Sequence, residues 1–224
     1  MSSDNIAPSQ DNDNAARSMQ NEHEAVATRK STIYELFVFG ELMDGPQHGY
    51  FLREILSRML GPFRQISWGV LYPLIRQLEH EGLIVQDEES SAEGKGGMSN
   101  SKQRKSYCIT ERGRKRFYAL MEDQGEYSAD YPEYFIIKLN NFDHIAREQQ
   151  LAILWQYQGY LQALNFYGQS AQQFVTSNPA VPDAQRPHIL RTISYRMCTI
   201  QAEIAWVEQE ISRLEDEPEN EQEF

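Results

Sequence analysis

The sequence predicts a mainly α-helical chain in two parts, a small mixed domain followed by a long-helix domain. Three observations carry the prediction. Between Thr28 and Gly82, three stretches with apolar residues at helical spacing are separated by Gly-Pro punctuation. Two short segments of β character then flank a loop rich in Gly and Ser. In the final 80 residues the apolar positions settle into an unbroken alternation of gaps of three and four.

Residues 1–27 are rich in Ser, Asp, Asn, Gln and Ala and hold almost no large apolar side chains. Such a segment cannot bury enough surface to offset its ordering entropy, so a disordered extension is expected there. The first domain is expected over residues 28–125. Ile33, Leu36, Phe37, Phe39 and Met43 mark a first buried helix, stopped by Asp44-Gly45-Pro46. Tyr50, Phe51, Ile55, Leu56 and Met59 mark a second, ending at Gly61-Pro62. A third follows in "SWGVLYPLIRQLEHEGLI" (67–84), with Ser67 as candidate N-cap and Gly82 as candidate C-cap. Pro73 interrupts this third helix near its start, a defect worth about 3 kcal/mol in a helix interior.

"LIVQDEE" (83–89) and "RKSYCIT" (104–110) read as two strands, with Tyr107 and Ile109 on one face. Thr110-Glu111-Arg112-Gly113 opens a closing helix. Three helices, a β-hairpin with a long tip and a closing helix compose a winged helix-turn-helix.

The second domain is expected over residues 126–216, with an acidic disordered tail at 217–224. Leu154, Tyr157, Leu161, Leu164 and Ala171 share one rhythm. After the Pro-rich "SNPAVPDAQRP" turn, Ile193, Met197, Ile200, Ile204, Val207 and Ile211 continue it as a narrow seam of period 3.5. Two antiparallel helices are too thin for a globule. The seam residues are therefore assigned to a homodimer interface.

The net charge of −12 looks hostile to nucleic acid, but it is unevenly spread. Between Arg29 and Arg116 there are 14 Lys/Arg against 11 Asp/Glu, a net of +3, which leaves −15 on the rest. In a helix-turn-helix, the opening turns of the second motif helix face base edges and phosphates. Here they hold Ser67, Trp68, Gly69 and Tyr72, with Arg76 one turn further on. Gly69 leaves the backbone uncovered, and a Tyr72 phenol suits a phosphate oxygen. The alternative reading makes Trp68 and Tyr72 core aromatics packed on the first helix. Lys102, Arg104 and Lys105 give the hairpin a basic character that favours double-stranded DNA as the partner.

Other classes find less support. His48, His80, His144 and His188 are scattered, without a catalytic triad or a phosphate-binding loop, so no enzyme is expected. Cys108 and Cys198 lack metal-ligand spacing, so neither metal nor cofactor is expected. No run approaches the roughly 20 apolar residues of a membrane span, no secretory signal opens the chain, and no helix pairs a basic face with an apolar one. A cytoplasmic protein without a membrane partner is expected. A winged-helix protein–protein interaction module remains the alternative from another class, and the basic wing speaks against it.

The runs "FGELMDGPQHGYFLREIL", "GVLYPLIRQLEHEGLI" and "RKSYCITERGRKRF" together resemble the PadR family of bacterial transcriptional regulators, over about residues 33 to 120. The acidic, aromatic C-terminal region, with Trp206 in its last helix, resembles the subfamily that carries a helical dimerisation domain. Val70 departs from the family pattern, where Ser or Thr is frequent, so a hydroxyl contact does not carry over to it. The resemblance implies a dimeric repressor, bound to an inverted-repeat operator and released by a small aromatic effector. A phenolic acid such as p-coumarate, controlling a phenolic acid decarboxylase, is the first expectation. A planar drug is the other. Trp155, Tyr157 and Tyr160 are the candidate effector contacts that the resemblance suggests, although aromatics at helical spacing also serve as core.

Overall fold

The computed structural model describes residues 31–61, 67–87 and 105–217. The N-terminal extension, the tail beyond Glu217 and the hairpin tip with Lys102 and Arg104 lie outside the described residues. The chain divides between Met121 and Glu122 into two compact units. The described residues are mainly helical, with one small antiparallel sheet.

In the first unit, helix α1 (31–43) buries Ile33, Leu36, Phe37, Val38, Phe39 and Leu42. It ends at Gly45, whose φ of +136° few side chains tolerate. Strand β1 (Gln47–His48) leads into α2 (Gly49–Met59). Here the structure corrects the expected apolar face. Leu52 and Leu56 are buried, whereas Tyr50 and Phe51 stand exposed.

Helix α3 (Trp68–His80) packs Leu71, Leu74, Ile75 and Leu78 into the core. Its end is closed by Gly82 in the left-handed region, at φ +69°. The Gly82 N–H donates to Glu79 O, and the Leu83 N–H donates to Leu78 O at 2.9 Å. This end carries the sharp turn into β2 (Ile84–Gln86).

Strand β3 (Ser106–Ile109) lies centrally, in the order β1-β3-β2. Gln47 pairs with Tyr107 on one side, and Ile84 pairs with Ile109 on the other. Sequence reasoning missed β1, a two-residue strand beside a proline.

Helix α4 (Glu111–Glu122) follows directly on Thr110. The Thr110 hydroxyl donates towards the Gly82 and Leu83 carbonyls, both at 2.9 Å, and accepts the Gly113 N–H at 3.1 Å. One side chain thus caps α4 and ties it to the end of α3.

The second unit contains α5 (Tyr131–Leu139), a single 3₁₀ turn (Phe142–His144), α6 (Arg147–Ser177) and α7 (Arg186–Asp216). Helices α6 and α7 form an antiparallel hairpin. Arg147 donates to Glu215 O, Gln158 to Glu208, and Tyr157 to Glu203. Arg186 folds the intervening turn by donating to the carbonyls of Thr176 and Val181. Along α7 only Val207, Ile211 and Leu214 are buried.

Candidate nucleic-acid interface

The outer face of α3 is built from residues that the core does not use. Ser67 stands at the N-cap with extended backbone (φ −74°, ψ 151°), and its side chain makes no capping bond. Ser67, Gly69, Tyr72 and Arg76 are all exposed, Tyr72 by 42%. Tyr72 is therefore no core aromatic. The Arg76 guanidinium lies over its ring, 5.2 Å from the centroid, which holds a cation beside the phenol. Trp68 opens the helix, and its side chain lies outside the described residues.

Pro73 also points outward. It denies the Gly69 carbonyl a helical partner, but Gly69 is exposed and water can serve that carbonyl. The defect falls where hydration lowers its cost.

Lys105 is exposed at the base of the hairpin, and its carbonyl accepts the Gly49 N–H, joining β3 to the start of α2. Several other cations of this unit serve its own structure. Arg116 makes two bonds to Glu35, at 2.9 and 3.1 Å, Arg112 donates to Glu81 O, and Arg58 pairs with Glu54. Sequence charge counting could not separate these internal roles from exposed ones. It also passed over Thr110 and Gly113, whose role is to close β2, β3 and α4 on one another.

The candidate effector residues do not form one site. Tyr157 and Tyr160 are buried among rings of the second unit, whereas Trp155 is 50% exposed and turns away from them. Tyr157 stacks on Phe135 at 3.7 Å and donates to a Glu203 carboxylate oxygen at 2.7 Å. Tyr131 and Tyr160 lie 4.8 Å apart, and Trp206 meets Phe135 edge-on. Burial first, then the bond to Glu203, pushes the Tyr157 phenol well above its ordinary range. Burial does the same to Tyr131, reinforced by Tyr127 and Asp123.

Beside these rings, Lys138 is buried, with its ammonium 4.5 Å from the Tyr134 ring centre. Burial lowers its pKa to about 8, against the pull of Asp123. The unfolded chain therefore holds more protons between about pH 8 and the ordinary lysine value, and stability rises with pH across that window. Above it the tyrosines act oppositely, because the unfolded phenols ionise first. Unfolding titrations from pH 7.5 to 9.5 should show the rise in the wild type, towards a limit of about 3 kcal/mol. In Lys138→Met the slope should flatten, and an unchanged slope would assign it elsewhere.

The dimer candidates divide into two groups. Val207 and Ile211 are buried within the hairpin of their own chain, with Val207 at 0% exposure, so they offer no surface to another copy. Ile193, Met197, Ile200 and Ile204 are half-exposed. The first three line a groove of about 480 Å³ between α6 and α7, with Leu164, Tyr167 and Ala171 opposite. Tyr195, which also lines it, is largely exposed, as are Phe166 and Phe174 of α6.

Among the described residues, no helix is long and apolar enough to cross a membrane. No curated protein matches the sequence. Among solved structures, Bacillus subtilis PadR in complex with operator DNA is similar at 15% identity and a TM-score of 0.36, covering 80% of this chain and 98% of its own. The PadR-like regulator BC1756 from Bacillus cereus aligns at 19% identity and a TM-score of 0.33, with 81% and 98% covered. The Vibrio cholerae virulence activator AphA aligns at 20% identity and a TM-score of 0.34, with the same coverage. The PadR-like transcriptional regulator family matches residues 38–119, from α1 to α4. Residues 38–119 therefore form a PadR-like domain.

Proposed function

We propose that the protein is a homodimeric repressor that binds an inverted-repeat operator and is released by a small aromatic effector, p-coumarate being the first candidate. The carrying observation is the outer face of α3, where Ser67, Gly69, Tyr72 and Arg76 stand exposed while the opposite face fills the core. Trp68 and the wing cations Lys102, Arg104 and Lys105 complete the proposed DNA contact.

Dimerisation through Ile193, Met197, Ile200 and Ile204 is supported by the apolar groove on the α6–α7 hairpin. The effector reading is supported by the tyrosine-rich second unit, where Tyr157 and Glu203 already pair a phenol with a carboxylate. Those two groups are also the ones that a phenolic acid carries. Phenolic acid decarboxylase is the corresponding target gene product. Bacillus subtilis PadR itself has been solved with operator DNA and with p-coumaric acid.

Changing Lys102, Arg104 and Lys105 to Ala should weaken binding to every duplex, and each lost phosphate contact should lower the salt slope by about 0.9. Identical slopes for variant and wild type would remove the wing from the interface. Calorimetry with p-coumarate, with and without a bound duplex, tests release. Linkage requires DNA to weaken the effector by the factor with which the effector weakens DNA. Equal affinities in both titrations would leave a DNA-binding protein without this sensor.

A further inference from the structure

Val70 lies in the first turn of α3 and is 47% exposed. It does not serve the core, which takes Leu71, Leu74, Ile75 and Leu78 from this helix. Its N–H donates to Ser67 O at 3.0 Å, so its backbone is held in the opening turn. A β-branched side chain in a helix keeps essentially one rotamer, so the direction of its two methyl groups is fixed before any partner arrives. Gly69 beside it has no side chain to screen them.

At helical spacing, Pro73 and Gln77 share the Val70 edge of α3. Pro73 has neither N–H nor polar side chain, and the Gln77 amide is engaged with Glu81 at 2.9 Å. That edge therefore presents an apolar tip at the end of the helix that enters a groove first.

We propose that Val70 reads the C5-methyl group of a thymine in each operator half-site. The inference rests on the DNA-binding reading above and adds a specificity determinant to it. Residues at the start of a recognition helix reach base edges in the major groove. The features displayed there are hydrogen-bond donors, acceptors and the thymine methyl. Valine offers no donor or acceptor, so every polar base edge placed against it loses its water without compensation. The thymine methyl alone is complementary. In modified DNA, 5-methylcytosine displays the same group.

The test uses the full-length chain and duplexes that it selects from a randomised pool. In the best selected duplex, each thymine is replaced in turn by deoxyuridine, which keeps the pairing and removes only the methyl. Binding is read by fluorescence anisotropy for wild type, Val70→Ser and Val70→Thr. One thymine per half-site should be methyl-sensitive, with wild-type affinity falling about fourfold per site, as expected for one buried methyl-sized group.

Val70→Thr, which keeps one methyl group, should retain that sensitivity. Val70→Ser should bind the thymine and uracil duplexes equally, with a melting temperature like that of the wild type. At the sensitive position, cytosine should weaken wild-type binding, and 5-methylcytosine should restore part of it. If no thymine is methyl-sensitive, or if Val70→Ser keeps the same sensitivity, the inference is overturned while DNA binding stands. Failure to retain any duplex would overturn both.

Discussion

Gly113→Ala is expected to destabilise the first unit by about 3 kcal/mol, the upper range for overpacking a tight site. A Cβ at this position would sit 2.2 Å from the carbonyl oxygen of Leu83 and 2.7 Å from Ile109 Cγ1. The first of these is backbone, so no side-chain rotation relieves the contact. That carbonyl also accepts the Thr110 N–H at 3.0 Å and the Thr110 hydroxyl at 2.9 Å. Moving it would strain the α4 cap and the turn from α3 into β2 together.

Alanine's helix propensity returns at most about 1 kcal/mol, so the clash dominates. Chemical denaturation measures the effect, and a variant as stable as wild type would show that Leu83 can yield. Gly69 provides the contrast, since a Cβ there meets nothing closer than the Ser67 hydroxyl at 3.5 Å. Gly69→Ala should keep its stability, so any loss of DNA affinity in that variant reports on the groove-facing backbone.

The second large effect concerns assembly. Met197→Asp with Ile200→Asp should convert the proposed dimer to monomers and weaken the proposed operator binding by about 10²–10⁴-fold, because a bivalent contact becomes monovalent. Both residues are half-exposed in the single chain, so water can solvate the new carboxylates in a monomer. Covering them with a second copy would bury four unpaired charges, which is strongly unfavourable. A specific interface of the ordinary 1,200–2,000 Å² cannot absorb that cost readily.

Sedimentation equilibrium should give the monomer mass, with helical content unchanged. A dimer persisting in this double variant would place the interface elsewhere. Val207→Asp is the control for folding. Fully buried against its own chain, it should unfold the hairpin instead of dissociating a folded one.

The helices of the first unit were legible because their apolar residues recur at 3.6 and their ends are written in Gly and Pro. The α3 span, its Ser67 N-cap position and the turn at Gly82 all follow from local chemistry. The three blocks that carry the family resemblance map onto α1–α2, α3 and β3–α4, where they set turns, caps and close approaches.

Periodicity states that one arc of a helix is apolar, but it does not say what covers that arc. Tyr50 and Phe51 fit the helical pattern of α2, yet only Leu52 and Leu56 meet the core. Strand β1 has two residues and exists because β3 offers it an edge, a long-range fact absent from its local sequence. The seam of α7 is continuous in sequence. Tertiary packing divides it, consuming Val207 and Ile211 within the chain and leaving Ile193, Met197 and Ile200 along an open groove. Tyr157 and Tyr160 likewise became core through rings of α5 and the preceding Tyr127, while Trp155, two residues from Tyr157, turned to solvent. Local spacing thus determined where α1 to α4, α6 and α7 form. The partner of each apolar face was decided only in three dimensions, because burial depends on residues distant in the chain.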